Sequence, residues 1–117
     1  ALPPVVVLAD EDKLLQVIVN LVENAAVHGP ANEVVELVGF TKGQMLHLEV
    51  RDRGTPLDPI TVEVLFEPHS RGRGSAKGTG LGLYIVRSIA GRWGGTSWGG
   101  PRSDDPTSGN AFGVSVV

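Results

Sequence analysis

Leu14, Val17, Ile18, Leu21 and Ala25 recur at three- and four-residue steps, the spacing of one apolar helix face, and Gly29-Pro30 stops the element. The pattern then changes. Val34 to Phe40 and Met45 to Arg51 are β-rich runs separated by Thr41-Lys42-Gly43-Gln44, which predicts an antiparallel hairpin. A helix followed at once by a hairpin suggests a helix layer beside a sheet layer.

The remaining segments extend this scheme. Val5-Val6-Val7-Leu8 reads as a short buried strand before the helix, with Asp10 as N-cap and Glu11 and Asp12 at the positive end of the helix dipole. Asp52-Arg53-Gly54-Thr55-Pro56 breaks the second β run. Leu57 to Phe66 predicts a short helix ended by Pro68, and a glycine and basic segment follows from Arg71 to Gly78. A further helix begins near Gly80, runs through Leu83, Val86, Ile89 and Ala90, and ends at Gly94-Gly95. Thr96 to Trp98 and Ala111 to Val117 read as closing strands. The expected fold is α+β, a two-layer sandwich with helices on one face of a mixed, mostly antiparallel sheet, in a single domain over residues 1–117.

Composition narrows the function. A formal charge of −3 leaves no overall basic footprint for duplex nucleic acid, so any anion site is local. Absence of cysteine excludes a disulfide scaffold and thiolate metal sites, and fits a reducing compartment. The longest wholly apolar run, Val5 to Ala9, falls far short of the roughly 20 residues that span a bilayer. Glycine is the outlier at 16 of 117 residues, clustered between Gly72 and Gly100, and so needs a local explanation.

Three places carry candidate chemistry. Asn20, Asn24 and His28 stand at i, i+4 and i+8 and project from one helical stripe. A carboxamide oxygen is a neutral hard ligand suited to Mg²⁺ that takes its other oxygens from water and phosphates; the plainer reading is a solvated polar stripe. Asp52 follows a strand and precedes Gly54, an arrangement that lets an acceptor-only carboxylate meet a flat polar ligand such as adenine through its exocyclic amine, or simply forms a turn. Gly78-Thr79-Gly80-Leu81-Gly82-Leu83 opens a helix, where free N–H groups attract anions, and Arg71, Arg73 and Lys77 are the densest basic cluster nearby. The turn is neither a P-loop nor a dinucleotide fingerprint, because the required lysine and third glycine are missing. A glycine-rich helix start and a solvated basic loop are the alternatives there.

Taken in order, these motifs resemble the catalytic, ATP-binding domains of sensor histidine kinases, within the superfamily that includes gyrase, Hsp90 and MutL proteins and shares the Bergerat fold. Asp10 to His28 is similar to the family's N box, Asp52 to Pro56 to its first glycine box, Leu65 to Arg71 to its F box, and the turn from Gly78 to its second glycine box. The resemblance implies that Asn24 binds Mg²⁺, that Asn20 and His28 lie near the phosphates of ATP, and that Asp52, with Gly54, receives adenine. It implies an ATP lid from Glu67 to Gly78, with Arg71 and Lys77 offsetting phosphate charge and Gly78, Thr79, Gly80, Leu81 and Gly82 following it.

Departures from the family pattern also carry information. Pro56 replaces the usual second glycine of the first box, giving a stiffer loop with one N–H donor fewer. Val27 stands where many relatives carry a basic residue. Asn110 occupies a place where threonine is frequent. The ATPase branches resemble one another in placing a glutamate general base four residues before the metal asparagine, whereas this chain has Asn20, which cannot accept a proton at neutral pH. Slow hydrolysis and an external phosphoryl acceptor follow.

The family's acceptor is a histidine on a preceding dimerisation domain, and neither His28, His47 nor His69 suits that role. The expectation is therefore an excised catalytic domain, monomeric alone, from a homodimeric kinase that is cytoplasmic in this part and membrane-anchored, working with its own dimerisation domain and a response regulator and not with nucleic acid. An anti-sigma type serine kinase on the same fold, and a nucleotide-sensing module without catalysis, are the competing readings. Trp93 and Trp98 are expected to serve packing.

Overall fold

A computed structural model of the chain describes residues 11–28, 34–68, 82–105 and 107–116. In order they form α1 (Glu11–His28), β1 (Glu36–Lys42), β2 (Met45–Arg51), α2 (Pro59–Leu65), α3 (Gly82–Arg92), β3 (Ser97–Pro101) and β4 (Asn110–Val116). The expected strand at Val5 to Leu8, the Asp10 cap and the segment from His69 to Leu81 lie outside the described residues.

The four strands lie in the order β1-β2-β4-β3, and every described ladder is antiparallel. The hairpin between β1 and β2 closes with Lys42 opposite Met45, and Gly43 turns it at φ 64°, a conformation that costs glycine little. β4 enters between β2 and β3, so that Arg51 stands opposite Ala111 and Leu46 opposite Val116. Consequently the end of β2, where Asp52 follows, lies beside the start of β4.

Alternation along the strands separates two faces. Leu46, Leu48, Val50, Phe112 and Val114 point into one core with Val17, Leu21 and Ala25 of α1 and Leu83, Val86, Ile89 and Ala90 of α3. Val17 and Leu21 are fully buried, each worth about 1.5–3 kcal/mol of apolar transfer, and this packing holds α1 against α3 as well as against the sheet. The helices thus share one face of the sheet, as the α+β reading requires.

On the opposite face Phe40 stacks on His47 at 5.0 Å between ring centroids, and His47 meets Trp98 at 5.2 Å. Trp98 also donates its indole N–H to Glu49 Oε1 at 3.1 Å. These side chains help cover β4, every residue of which is buried. His47 is therefore a packed, half-buried strand residue, while half-buried Trp93 packs against the core. No helix among the described residues is long and apolar enough to cross a membrane.

α2 begins where Asp58 Oδ1 accepts from Thr61 N at 2.7 Å, with Pro59 in the first turn, a pairing that suits a helix start because proline has no N–H to satisfy. Its far end is pinned by Phe66, which is buried 6.0 Å from the ring of Phe112. Arg87 of α3 lies 4.7 Å above the Phe66 ring and bonds Glu63 at 3.0 Å, tying α3 to α2 from the solvent side.

Candidate functional site

Helical geometry puts Asn20 and Asn24 one turn apart on α1, and the packing of α1 on α3 brings Gly82 to Asn20. A Cβ on Gly82 would lie 3.8 Å from Asn20 Oδ1, so the last glycine of the glycine turn and the first asparagine of the stripe are neighbours in space. His28 is the final residue of α1. Glu23, the adjacent carboxylate, faces solvent, as a rotation of about 100° per residue dictates. Val27 is likewise exposed.

Asp52 is 1% exposed and held from several sides. Its N–H donates to Asn110 O at 2.9 Å, while its Oδ1 accepts from Gly54 N at 2.7 Å and from Asn110 N at 3.2 Å. Its carbonyl oxygen accepts from Arg102 Nη1 at 3.4 Å and lies so close to Gly109 that a Cβ there would overlap it. Only Oδ2 remains without a partner.

That oxygen belongs to a small set. Among the described residues, the buried side-chain polar atoms lacking any hydrogen bond are Asp52 Oδ2, Asn20 Nδ2 and Asn24 Nδ2. Leaving such groups unpaired costs about 1–3 kcal/mol each, so natural chains keep few of them, and those kept call for a ligand, water or ion to complete them. Here all three fall on residues singled out for chemistry. An asparagine amide has a donor and an acceptor end, so Asn20 and Asn24 can meet phosphate oxygens with one and a cation with the other.

Near Asp52, Arg102 escaped the sequence reading, and Asn110 was legible only as a departure from the family pattern. Arg102 is 5% exposed and reaches Asp104 at 2.7 Å, Glu36 at 3.5 Å and the Asp52 carbonyl. Chiefly through its hydrogen bond, Arg102 holds the Asp104 carboxyl down at about 2, against its usual 3.8. Asn110, 1% exposed, sends its side chain to the loop after Asp52: Oδ1 accepts from Leu57 N at 2.9 Å and Nδ2 donates to Thr55 O at 2.8 Å. The contacts of Arg102 with Asp52 and of Asn110 with Leu57 and Thr55 leave no local sequence signal, because these partners are 50 to 55 positions away. Arg71, Lys77, Gly78, Thr79, Gly80 and Leu81 lie outside the described residues.

A four-stranded antiparallel sheet with its helices on one face is the α+β sandwich of the histidine kinase ATP-binding domains. The chain belongs to the histidine kinase-, DNA gyrase B- and HSP90-like ATPase family, whose match covers residues 9–116. Among curated relatives, the sensor protein PfeS of Pseudomonas aeruginosa is 38% identical over 88 residues, which are 74% of this chain and 20% of that protein. The sensor-like histidine kinase SenX3 of Mycobacterium tuberculosis is 36% identical over 94 residues, 77% of this chain and 23% of that protein. The chain thus spans about a fifth of the length of these relatives.

Solved structures agree in fold. The mycobacterial sensor histidine kinase MprB superposes with a TM-score of 0.79 at 25% identity, covering 94% of this chain and 73% of that one. Full-length ShkA in complex with AMPPNP gives 0.79 at 28% identity, covering 98% and 23%. The catalytic domain of the histidine kinase ThkA gives 0.77 at 29% identity, covering 94% and 69%.

Proposed function

We infer that this chain is the MgATP-binding catalytic domain of a two-component sensor histidine kinase, passing the γ-phosphoryl group of ATP to a histidine on a separate dimerisation domain. The observation that carries this reading is the trio of unpartnered buried atoms on Asn20, Asn24 and Asp52. Asp52 Oδ2 is an acceptor fitted to the adenine amine. Asn24 supplies a carboxamide for Mg²⁺, which when bound neutralises phosphate charge, and the family resemblance assigns Asn20 and His28 to the phosphate end. Arg71, Lys77 and the turn from Gly78 to Gly82 complete the phosphate environment, and Gly54 borders the base. Positioning and charge neutralisation are most of what phosphoryl transfer requires of a protein.

Asn20 in place of a general base, with Glu23 turned to solvent, favours transfer to an external nucleophile over hydrolysis. The kinase relatives and the ShkA complex with AMPPNP support the same reading. The whole protein is then a homodimer whose catalytic part is cytoplasmic, anchored to a membrane and paired with a response regulator.

The test supplies a histidine-bearing dimerisation domain in trans with γ-labelled ATP. The label is expected on that domain in acid-labile, base-stable form. Acid-stable label would point to a serine acceptor, and tight ATP binding without any transfer would leave a nucleotide-sensing module.

A further inference from the structure

Asn110 uses both its backbone and its side chain at the base site. Its backbone N–H and C=O pair with Asp52 Oδ1 and Asp52 N at 3.2 and 2.9 Å. Its side-chain amide reaches the residues on either side of Pro56, accepting from Leu57 N at 2.9 Å and donating to Thr55 O at 2.8 Å. One buried residue therefore joins the carboxylate to the loop that follows it.

Pro56 explains why a carboxamide is needed. Proline fixes its own φ, restrains the residue before it and offers no N–H, so the loop cannot fold back on itself through residue 56. A carboxamide carries a donor and an acceptor on separate atoms of one plane, as a peptide group does, and can bridge the carbonyl before proline and the N–H after it. A threonine hydroxyl offers both functions from a single atom on a shorter side chain, and would leave Thr55 O or Leu57 N unpaired. The two departures from the family pattern, Pro56 and Asn110, are in this way complementary.

We propose that Asn110 is a positioning residue for the nucleobase, clamping the Pro56 loop at a fixed distance from Asp52 so that the slot admits adenine, and that Asn110 and Pro56 act as a matched pair. This rests on the proposed nucleotide function and assigns a specificity role to a residue with no free polar group of its own to offer the base.

The experiment compares the 117-residue chain with Asn110→Thr, Pro56→Gly and the double variant. Calorimetry with ADP and GDP, thermal melting, and amide exchange at Leu57 in nucleotide-free protein are measured for each. Asn110→Thr is expected to speed Leu57 exchange and weaken ADP about tenfold, near the value of one lost hydrogen bond, while GDP changes less. In the Pro56→Gly background the same substitution is expected to cost much less, because glycine restores a donor and backbone freedom.

Equal losses in both backgrounds, equal losses for both nucleotides, or unchanged Leu57 exchange in Asn110→Thr would each overturn the proposal. If threonine prevents folding, Asn110→Asp serves instead, since it keeps the acceptor for Leu57 N and sets an oxygen against Thr55 O; the criteria for ADP against GDP and for the Pro56→Gly background are unchanged. A wild-type chain that binds no ADP removes the nucleotide reading itself, and is thereby distinguished from a chain that binds ADP with additive losses.

Discussion

Asp52 and Asn110 bond each other twice: Asp52 N donates to Asn110 O at 2.9 Å, and Asn110 N donates to Asp52 Oδ1 at 3.2 Å. The pairing consumes one carboxylate oxygen and leaves the other, Oδ2, buried without a partner. A side chain fixed in this way needs no reorganisation to meet a donor, which is where recognition gains most from rigidity.

Asp52→Asn tests that oxygen. The carboxamide can keep Oδ1 on its two backbone donors, so the melting temperature should change little, while Oδ2 becomes an N–H₂ group facing the adenine amine. Discrimination of adenine over guanine nucleotides should fall by on the order of 100-fold in competition calorimetry. Retained discrimination would show that the carboxylate does not read the base.

Asn24→Ala should abolish Mg²⁺-dependent nucleotide binding. Because it removes a buried donor with no partner, the nucleotide-free chain should be as stable as before or more so, by about 1 kcal/mol. Binding titrations with Mg²⁺ and with chelator, beside urea unfolding, separate the two effects. Unchanged MgATP affinity would remove Asn24 from the metal site.

Leu21→Ala examines how α1 is held. Leu21 is fully buried between α3 and the sheet, so truncation should cost about 2–5 kcal/mol in urea unfolding. A loss near zero would mean that α1 is not anchored by this core.

Asp104 contributes to acid sensitivity. Its carboxyl titrates lower in the fold, about 2 against the usual 3.8, so the ion pair with Arg102 is fully stabilising above 3.8 and is lost as pH falls toward 2. Asp104→Asn should make the decline of stability across that interval shallower. Parallel acid-unfolding curves for the variant and the parent would contradict the assignment.

Local patterns proved readable and distant ones did not. The period of α1, the β1–β2 hairpin and the core stripe of α3 follow from neighbours within a few residues, and so could be read directly. The hairpin was placed within about two residues of its observed bounds, because strand ends depend on ladders that local propensity does not see. Asp58-Pro59 did carry a helix-start signature, but the helix was expected to begin at Leu57. Asn20, Asn24 and Asp52 were legible as chemistry-bearing residues; that their unpaired atoms are buried was not, since burial depends on which elements pack together. Arg102 and the clamp by Asn110 were invisible for the same reason, as was the cover that Phe40 and Trp98, on other strands, give His47.

The insertion of β4 between β2 and β3 has a consequence for synthesis. Asp52 acquires its backbone partner from a residue 58 positions later, so a ribosome must reach β4 before the Asp52–Asn110 pairing can form. Partners so far apart close slowly, and nascent chains lacking the last strand expose an unpaired sheet. Nucleotide capture during translation would therefore report completion of the fold, and ATP in the cell would act on the newborn protein as a late stabilising ligand rather than as a template for its earliest steps.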